Sequence, residues 1–332
     1  MPIIVSLVTE DKFAASRVTR PEGWNIRFLD SASEDEIIAA CHKADFLLAA
    51  GTAAKISAKI VDNIPDIKLI QTIGVGVDHI DIPASIRMGI PVANVPGQNA
   101  SSVAEYTIGT IIALQRRIIE AGHEIQAGNY SPFRNSMMAN GLNEIRGSKV
   151  GLIGFGAIGR EVARIAVAMG ATVSYYASRR HPPDIEAQYQ VQYKVLNELL
   201  ATSDIISLHL PETAETRGLI GFRQFMMMPD GSIFVNTARG GIVDQEGLAK
   251  ALEAGHLAGA AIDTFSPEPP APDHPLLHLS PASRRRVILT PHIAGATANS
   301  FKRMIEAALA NIGRLHRGER PENVVNGIFV KR

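Results

Sequence analysis

One cysteine, Cys41, occurs in the whole 332-residue chain. That excludes an internal disulfide and any metal site built from several thiolates. No charge of one sign predominates, since 33 basic residues balance 33 acidic ones. A chain with no net field has no general attraction for nucleic acid or an anionic membrane. The basic runs Arg179-Arg180 and Arg284-Arg285-Arg286 therefore read first as solvated loop charges. No apolar run approaches the roughly 18 residues that span a bilayer. The opening "MPIIVSLVTEDKF" lacks the basic start and apolar length of a secretion signal, so the expected location is cytoplasmic. No repeat of fixed period and no low-complexity tract is found.

What is present is ordinary globular material: 46% apolar residues and a length that suggests two domains. The first hundred residues alternate short apolar strands with helices. "PIIVSLV", "NIRFL", "DFLLAAG", "IKLIQTIG" and "IPVANV" read as strands. "SEDEIIAACHKA", "ISAKIVDNI" and "DIPASIRMG" read as helices, the first opened by a Ser33–Glu36 capping box. Cys41 lies on that first helix, where a buried structural thiol is expected. "SSVAEYTIGTIIALQRRIIEAGHEIQAG" reads as one long helical stretch, and "NYSPFRNSMMANGLNEIRG" as a less regular piece. From Lys149 the alternation restarts through "KVGLIGFG", "TVSYYA", "DIISLHL", "SIFVNTA", "LAGAAIDTF" and "RVILTPH", with one helix in each of the first four gaps. "SPEPPAPDHP" is stiff and non-helical, and a helix closes the chain. Such alternation implies α/β architecture with parallel sheets covered on both faces.

"VGLIGFGAIGR" places Gly154, Gly156 and Gly159 between an apolar strand and an amphipathic helix. In that setting the first glycine permits a tight turn and the second admits a pyrophosphate to the backbone. The third lets helix and strand pack closely. The helix N-terminus adds free N–H groups and positive potential. An NAD site would place an acid about 20 residues on. Here stand Ala177, Ser178, Arg179 and Arg180. Arginine and serine in place of the acid suit the 2′-phosphate of NADP(H). The alternative is a solvated basic turn that leaves NAD(H) possible.

Three residues follow apolar strands, where ligand crevices form in open α/β sheets: Arg239 in "VNTARGG", Glu268 in "DTFSPEPP" and His292 in "TPHIAGAT". Arginine can grip a carboxylate and polarise a neighbouring carbonyl. Histidine can pass a proton to a developing alkoxide. A carboxylate beside it orients the ring and favours its protonated form. Singly, each has an ordinary structural use, and spacing alone does not bring them together.

As a set, "IGVGVDHIDI", "NVPGQNASSVAE", "VGLIGFGAIGR", "SLHLPETAETRGLIG", "VNTARGGIVDQEGL", "DTFSPEPP" and "TPHIAGAT" resemble the D-isomer-specific 2-hydroxyacid dehydrogenases almost end to end. The resemblance implies two Rossmann-like or flavodoxin-like parallel-sheet domains with an active-site cleft between them. A discontinuous substrate domain, 1–100 plus 298–332, would flank a cofactor domain, 101–297, with crossings near Asn99–Ser102 and Ala294–Asn299. By motif position, Arg239, Glu268 and His292 match the catalytic trio. Val75 and Gly76 match backbone that binds the substrate carboxylate, and Asn99 a position near substrate. Ile158 matches a residue whose backbone meets the pyrophosphate, and Asp263 the side chain that holds the nicotinamide carboxamide. Val103, Leu210, Thr216, Ala238 and Gly295 match cofactor-lining positions. The segment after Ser102 resembles a dimerisation arm, so a homodimer is implied. "YASRR" is similar to the NADPH-preferring glyoxylate and hydroxypyruvate reductases of the family. The expected activity is reduction of a small 2-oxo acid to a D-2-hydroxy acid. An NAD-linked D-lactate or phosphoglycerate type enzyme and a non-catalytic dinucleotide sensor are the competing readings.

Overall fold

The computed structural model describes residues 1–30, 32–51 and 54–328. Residues 329–332, assigned above to the substrate domain, lie outside the described residues. The chain divides into two compact units, one formed by Met1–Asn99 and the chain from Ala296 onward, the other by Ala100–Gly295.

In the first unit β1 (Ile3–Ser6), β2 (Asn25–Phe28), β3 (Phe46–Ala49), β4 (Leu69–Thr72) and β5 (Val92–Ala93) form a parallel sheet in the order β2-β1-β3-β4-β5. This is the flavodoxin-like order. Successive residues point to opposite faces, and both faces are apolar. Val5, Leu47 and Ile70 pack with Ile37, Ile60 and Ala84 of the helices on one side. Ile4, Phe46, Leu48 and Leu69 pack on the other with Met304, Ile305, Leu309 and Ile312. The last four belong to the Ala298–His316 helix, which starts at a Thr297 cap. The Ser33–Glu36 capping box opens the Glu34–Cys41 helix.

The second unit holds β6 (Lys149–Ile153), β7 (Thr172–Tyr176), β8 (Val191–Tyr193), β9 (Ile205–Leu208), β10 (Ser232–Asn236), β11 (Leu257–Ile262) and β12 (Val287–Leu289). They run parallel in the order β12-β11-β10-β9-β6-β7-β8. The order reverses between β6 and β9, the switch point where dinucleotides bind in such sheets. Val150, Leu152 and Val235 face the Ala100–Gln115 and Ala157–Ala168 helices; Ile206, Leu208 and Phe234 face the opposite core.

Several details differ from the sequence reading, including short helices at Glu10–Ala15 and Pro281–Arg284 that it lacks. The single helix expected between β7 and β9 is a helix, the short strand β8 and a second helix. Three residues at a sheet edge are too few to show a two-residue alternation. The long helical stretch is two helices, Ala100–Gln115 and Ile118–Gln126, broken where Arg117 turns left-handed at φ 50°. The less regular piece contains a helix, Tyr130–Asn140, that buries none of its residues and so leaves no apolar stripe in the sequence. Pro132 falls in its first turn, where no intrahelical N–H is lost.

Cys41 is 1% exposed, and burial pushes its thiol up to about 12. The thiolate is the reactive species. Cys41 should therefore resist a disulfide reagent at pH 8 in the folded protein and react fully in guanidinium. Rapid labelling of the native chain would contradict this placement.

Candidate active site

The glycine turn follows β6. Gly154 has φ 101°, and a Cβ there would lie 2.3 Å from the carbonyl oxygen of His209. A Cβ on Gly159 would lie 2.4 Å from the Gly154 oxygen. Neither approach leaves room for any other residue. Gly156, by contrast, is exposed, and a Cβ there would meet no protein atom within 4 Å. Gly156 is also the N-cap of the Ala157–Ala168 helix and supplies no side chain to its free N–H groups. This cradle fits a pyrophosphate, with backbone donors open and the positive end of a twelve-residue helix behind them. Ile158 is half-buried in the helix's first turn.

At the end of β7, Ala177 is half-buried while Ser178 and Arg179 are exposed. Arg180 donates to Glu186 through Nε at 2.8 Å and Nη2 at 2.7 Å. The sequence reading had left this partner out. Glu186 lies beyond two prolines, and only the folded turn brings it back.

Beyond β9, Leu210 is half-buried, and Thr216 closes its own loop by donating to the Pro211 carbonyl at 2.8 Å. His209 sits at the switch point. Its Nδ1 is shut off from solvent without a partner, while Nε2 meets Ser207 Oγ at 2.9 Å. Burial pushes this imidazole down to about 3. A histidine two residues after Ser207 in "SLHLP" was legible as another polar strand-end residue.

β10, β11 and β12 present the remaining groups. After β10, Ala238 is buried and Arg239 half-buried. Arg239 donates to the Ala238 carbonyl through Nη1 at 2.7 Å, and its own carbonyl accepts from Asn236 at 2.9 Å. A Cβ on Gly240 would lie 2.0 Å from the Phe265 carbonyl carbon, so this loop abuts the one leading to Glu268. After β12, His292 is held at φ 55°. Its Nδ1 lies 2.9 Å from Glu268 Oε1. The two side chains are 36% and 37% exposed, a partly open pair. Their 24-residue separation gave no sign of the contact.

Asp263, at the end of β11, turns toward the histidine loop. It is 1% exposed and accepts from Thr290 Oγ1 at 2.6 Å, Ile293 N at 2.9 Å and Ala294 N at 2.8 Å. Three of a carboxylate's roughly four lone-pair sites are thus taken. Thr290 also meets the Tyr106 hydroxyl at 2.5 Å, which ties the loop to the Ala100–Gln115 helix. Tyr106 and Thr290 were missed because neither carries a signal outside the fold. Val103 is buried in the same helix, and Gly295 is half-buried.

Val75, Gly76 and Asn99 belong to the first unit. Val75 is 41% exposed, and its carbonyl accepts from Asn94 at 2.8 Å. Asn99 Oδ1 is buried without a partner. Among the described residues no cluster of His, Cys, Asp or Glu is placed to hold a metal ion, and no helix is long and apolar enough to cross a membrane.

The chain is similar over most of its length to proteins of known family. Residues 108–294 match the family model described as D-isomer specific 2-hydroxyacid dehydrogenase, NAD binding domain. A glyoxylate reductase of Thermofilum pendens is 38% identical over 306 residues, covering 90% of this chain and 86% of that protein. A D-3-phosphoglycerate dehydrogenase of Archaeoglobus fulgidus is 37% identical over 92% of this chain but only 56% of its own length. The structure of D-lactate dehydrogenase with NAD+ from Lactobacillus jensenii superposes with a TM-score of 0.80 at 30% identity, covering 98% of this chain and 99% of that one.

The enclosed imidazole of half-buried His209 makes a pH prediction. The unfolded imidazole takes up a proton below about pH 6.5, whereas the folded ring stays neutral to about 3. Its contribution is complete above 6.5 and is lost as pH falls through that window. Replacing His209 with Asn should flatten the decline in unfolding free energy between pH 6 and 4 by up to about 1.4 kcal/mol per pH unit. Urea titrations at several pH values measure this, and parallel curves for the two proteins would contradict it.

Proposed function

Because the chain belongs to the D-isomer-specific 2-hydroxyacid dehydrogenase family, it is an NAD(P)-dependent oxidoreductase of 2-oxo and 2-hydroxy acids, and we propose that it reduces glyoxylate or hydroxypyruvate with NADPH. The observation that carries the chemistry is the His292–Glu268 contact, on the same sheet edge as the glycine turn.

A reduced nicotinamide, when bound, supplies the hydride. The chain's own residues do the rest. Gly154, Gly156, Ile158 and Gly159 would hold the pyrophosphate. Arg239 binds the substrate carboxylate with its planar fork and polarises the adjacent carbonyl. Glu268 occupies His292 Nδ1, which fixes the ring and leaves Nε2 to deliver the proton to the new alkoxide. Val75, Gly76 and Asn99 contribute to holding the acid. Asp263 holds the histidine loop, and its remaining lone pair is available to the carboxamide. Val103, Leu210, Thr216, Ala238 and Gly295 would line the cofactor's path.

Ala177, Ser178, Arg179 and Arg180 support NADPH because no strand-end carboxylate opposes a 2′-phosphate. Similarity to glyoxylate reductases supports the substrate. A second reading, in which NADH also serves, is supported by the match to a family model described as an NAD binding domain.

A panel of glyoxylate, hydroxypyruvate, pyruvate and phenylpyruvate, run with each coenzyme, should give highest kcat/KM for the first two with NADPH. Higher values for pyruvate, or with NADH, would favour the lactate-type alternative. In the same assay His292→Ala should lower kcat by roughly 10²–10⁴-fold while coenzyme titration stays unchanged.

A homodimer is also proposed. Ile118, Ile119, Ile125, Tyr130 and Met138 are 44–71% exposed along the two helices that follow Gln115. Such a run on a monomer marks an interaction surface, and a second copy would cover it. Sedimentation should show twice the chain mass, and Ile125→Glu with Met138→Glu should shift it to one. A monomeric wild type would remove this part of the reading.

A further inference from the structure

The acid absent from the end of β7 has a counterpart one helix further on. Glu186 is 9% exposed on the Pro183–Tyr189 helix. Both of its oxygens accept hydrogen bonds: Oε1 from Arg180 Nε at 2.8 Å and from the Tyr175 hydroxyl at 2.9 Å, and Oε2 from Arg180 Nη2 at 2.7 Å. Buried beneath Arg180, this carboxylate does not present itself to a ribose. Tyr175 is fully buried, its oxygen accepts from His181 N at 2.8 Å, and its ring stacks on Phe155 of the glycine turn with centroids 4.4 Å apart. A continuous set of contacts therefore runs from the turn through Tyr175 and Glu186 to Arg180.

We propose that Glu186 is a specificity-positioning residue, holding Arg180 oriented for the 2′-phosphate of NADPH. This rests on the NADPH reading above. A guanidinium has five N–H donors, and Glu186 uses two, leaving three for another acceptor. The Arg180 side chain is 60% exposed against 11% for Glu186, so those donors are on the solvent side. An ion pair this exposed on one side adds little stability. Its effect is to remove freedom that a long side chain would otherwise lose on gripping a phosphate. The pair also lowers the Glu186 carboxyl below its ordinary range, chiefly through the Arg180 hydrogen bonds, so it stays charged at neutral pH.

The test is calorimetric binding of adenosine 2′,5′-bisphosphate and adenosine 5′-monophosphate to the full chain. Wild type should prefer the bisphosphate by at least about tenfold, and Arg180→Ala should abolish most of that preference. Glu186→Gln should reduce the preference several-fold, leave monophosphate affinity unchanged, and add no further loss in the Arg180→Ala background. Tyr175→Phe, which keeps the stacked ring and every charge, should lose part of the preference. An unchanged or larger preference in both Glu186→Gln and Tyr175→Phe would overturn the positioning role. Equal weakening of both ligands would reduce Glu186 to a structural residue and overturn it too. A wild type without preference would instead overturn the NADPH reading itself.

Discussion

Asp263 accepts three hydrogen bonds from the loop after β12 while lying almost wholly inside the second unit. A buried carboxylate is tolerable only when its lone pairs are met, and bonds to a charged group contribute about 1.5–3 kcal/mol each. That requirement dictates the loop's path. Thr290, Ile293 and Ala294 must turn inward, and His292 N bonds to the Asp263 carbonyl at 2.8 Å. His292 is thereby held in a left-handed conformation that a side chain seldom adopts. Its imidazole meets Glu268 because the backbone has nowhere else to go.

A second constraint is steric. Arg239 and Glu268 come from loops after β10 and β11, and Gly240 lets the two backbones touch without any intervening atom. Gln245, at the start of the Gln245–Glu253 helix, donates to the carbonyls of Gly240 and Ser266 at 3.4 and 3.5 Å. The positions of arginine and carboxylate are thus coupled through main chain rather than through long side chains, whose rotamers would blur them. Hydride transfer rewards such fixed geometry.

The features most legible in the sequence were those that hard sterics or simple periodicity impose. Gly154 and Gly159 could be read because only glycine fits where they stand. The two parallel sheets could be read because strands buried on both faces are continuously apolar. Partnership was not legible from spacing; Glu268 and His292 were paired only on their chemistry and by resemblance. Their contact depends on how two loops fold. Glu186 carried no signal in the sequence; the turn at Ser178–His181 brings Arg180 back to it. Strand β8 and the Tyr130–Asn140 helix escaped notice because neither has enough buried residues to write a pattern. Asp263 was singled out for a ligand contact, and its structural work on the histidine loop appeared only in three dimensions.

The second unit is one unbroken stretch of chain, whereas the first is assembled from both ends. One face of the β1–β5 sheet needs Met304, Ile305, Leu309 and Ile312 to be covered. On a ribosome, that face stays bare while nearly two hundred further residues are made. Every strand of the second unit precedes the Ala298–His316 helix in the chain. Synthesis thus finishes the chain of the dinucleotide-binding unit before the helix that covers the β1–β5 sheet is made. Until then Ile4, Phe46, Leu48 and Leu69 lack the apolar side chains that bury them in the finished fold.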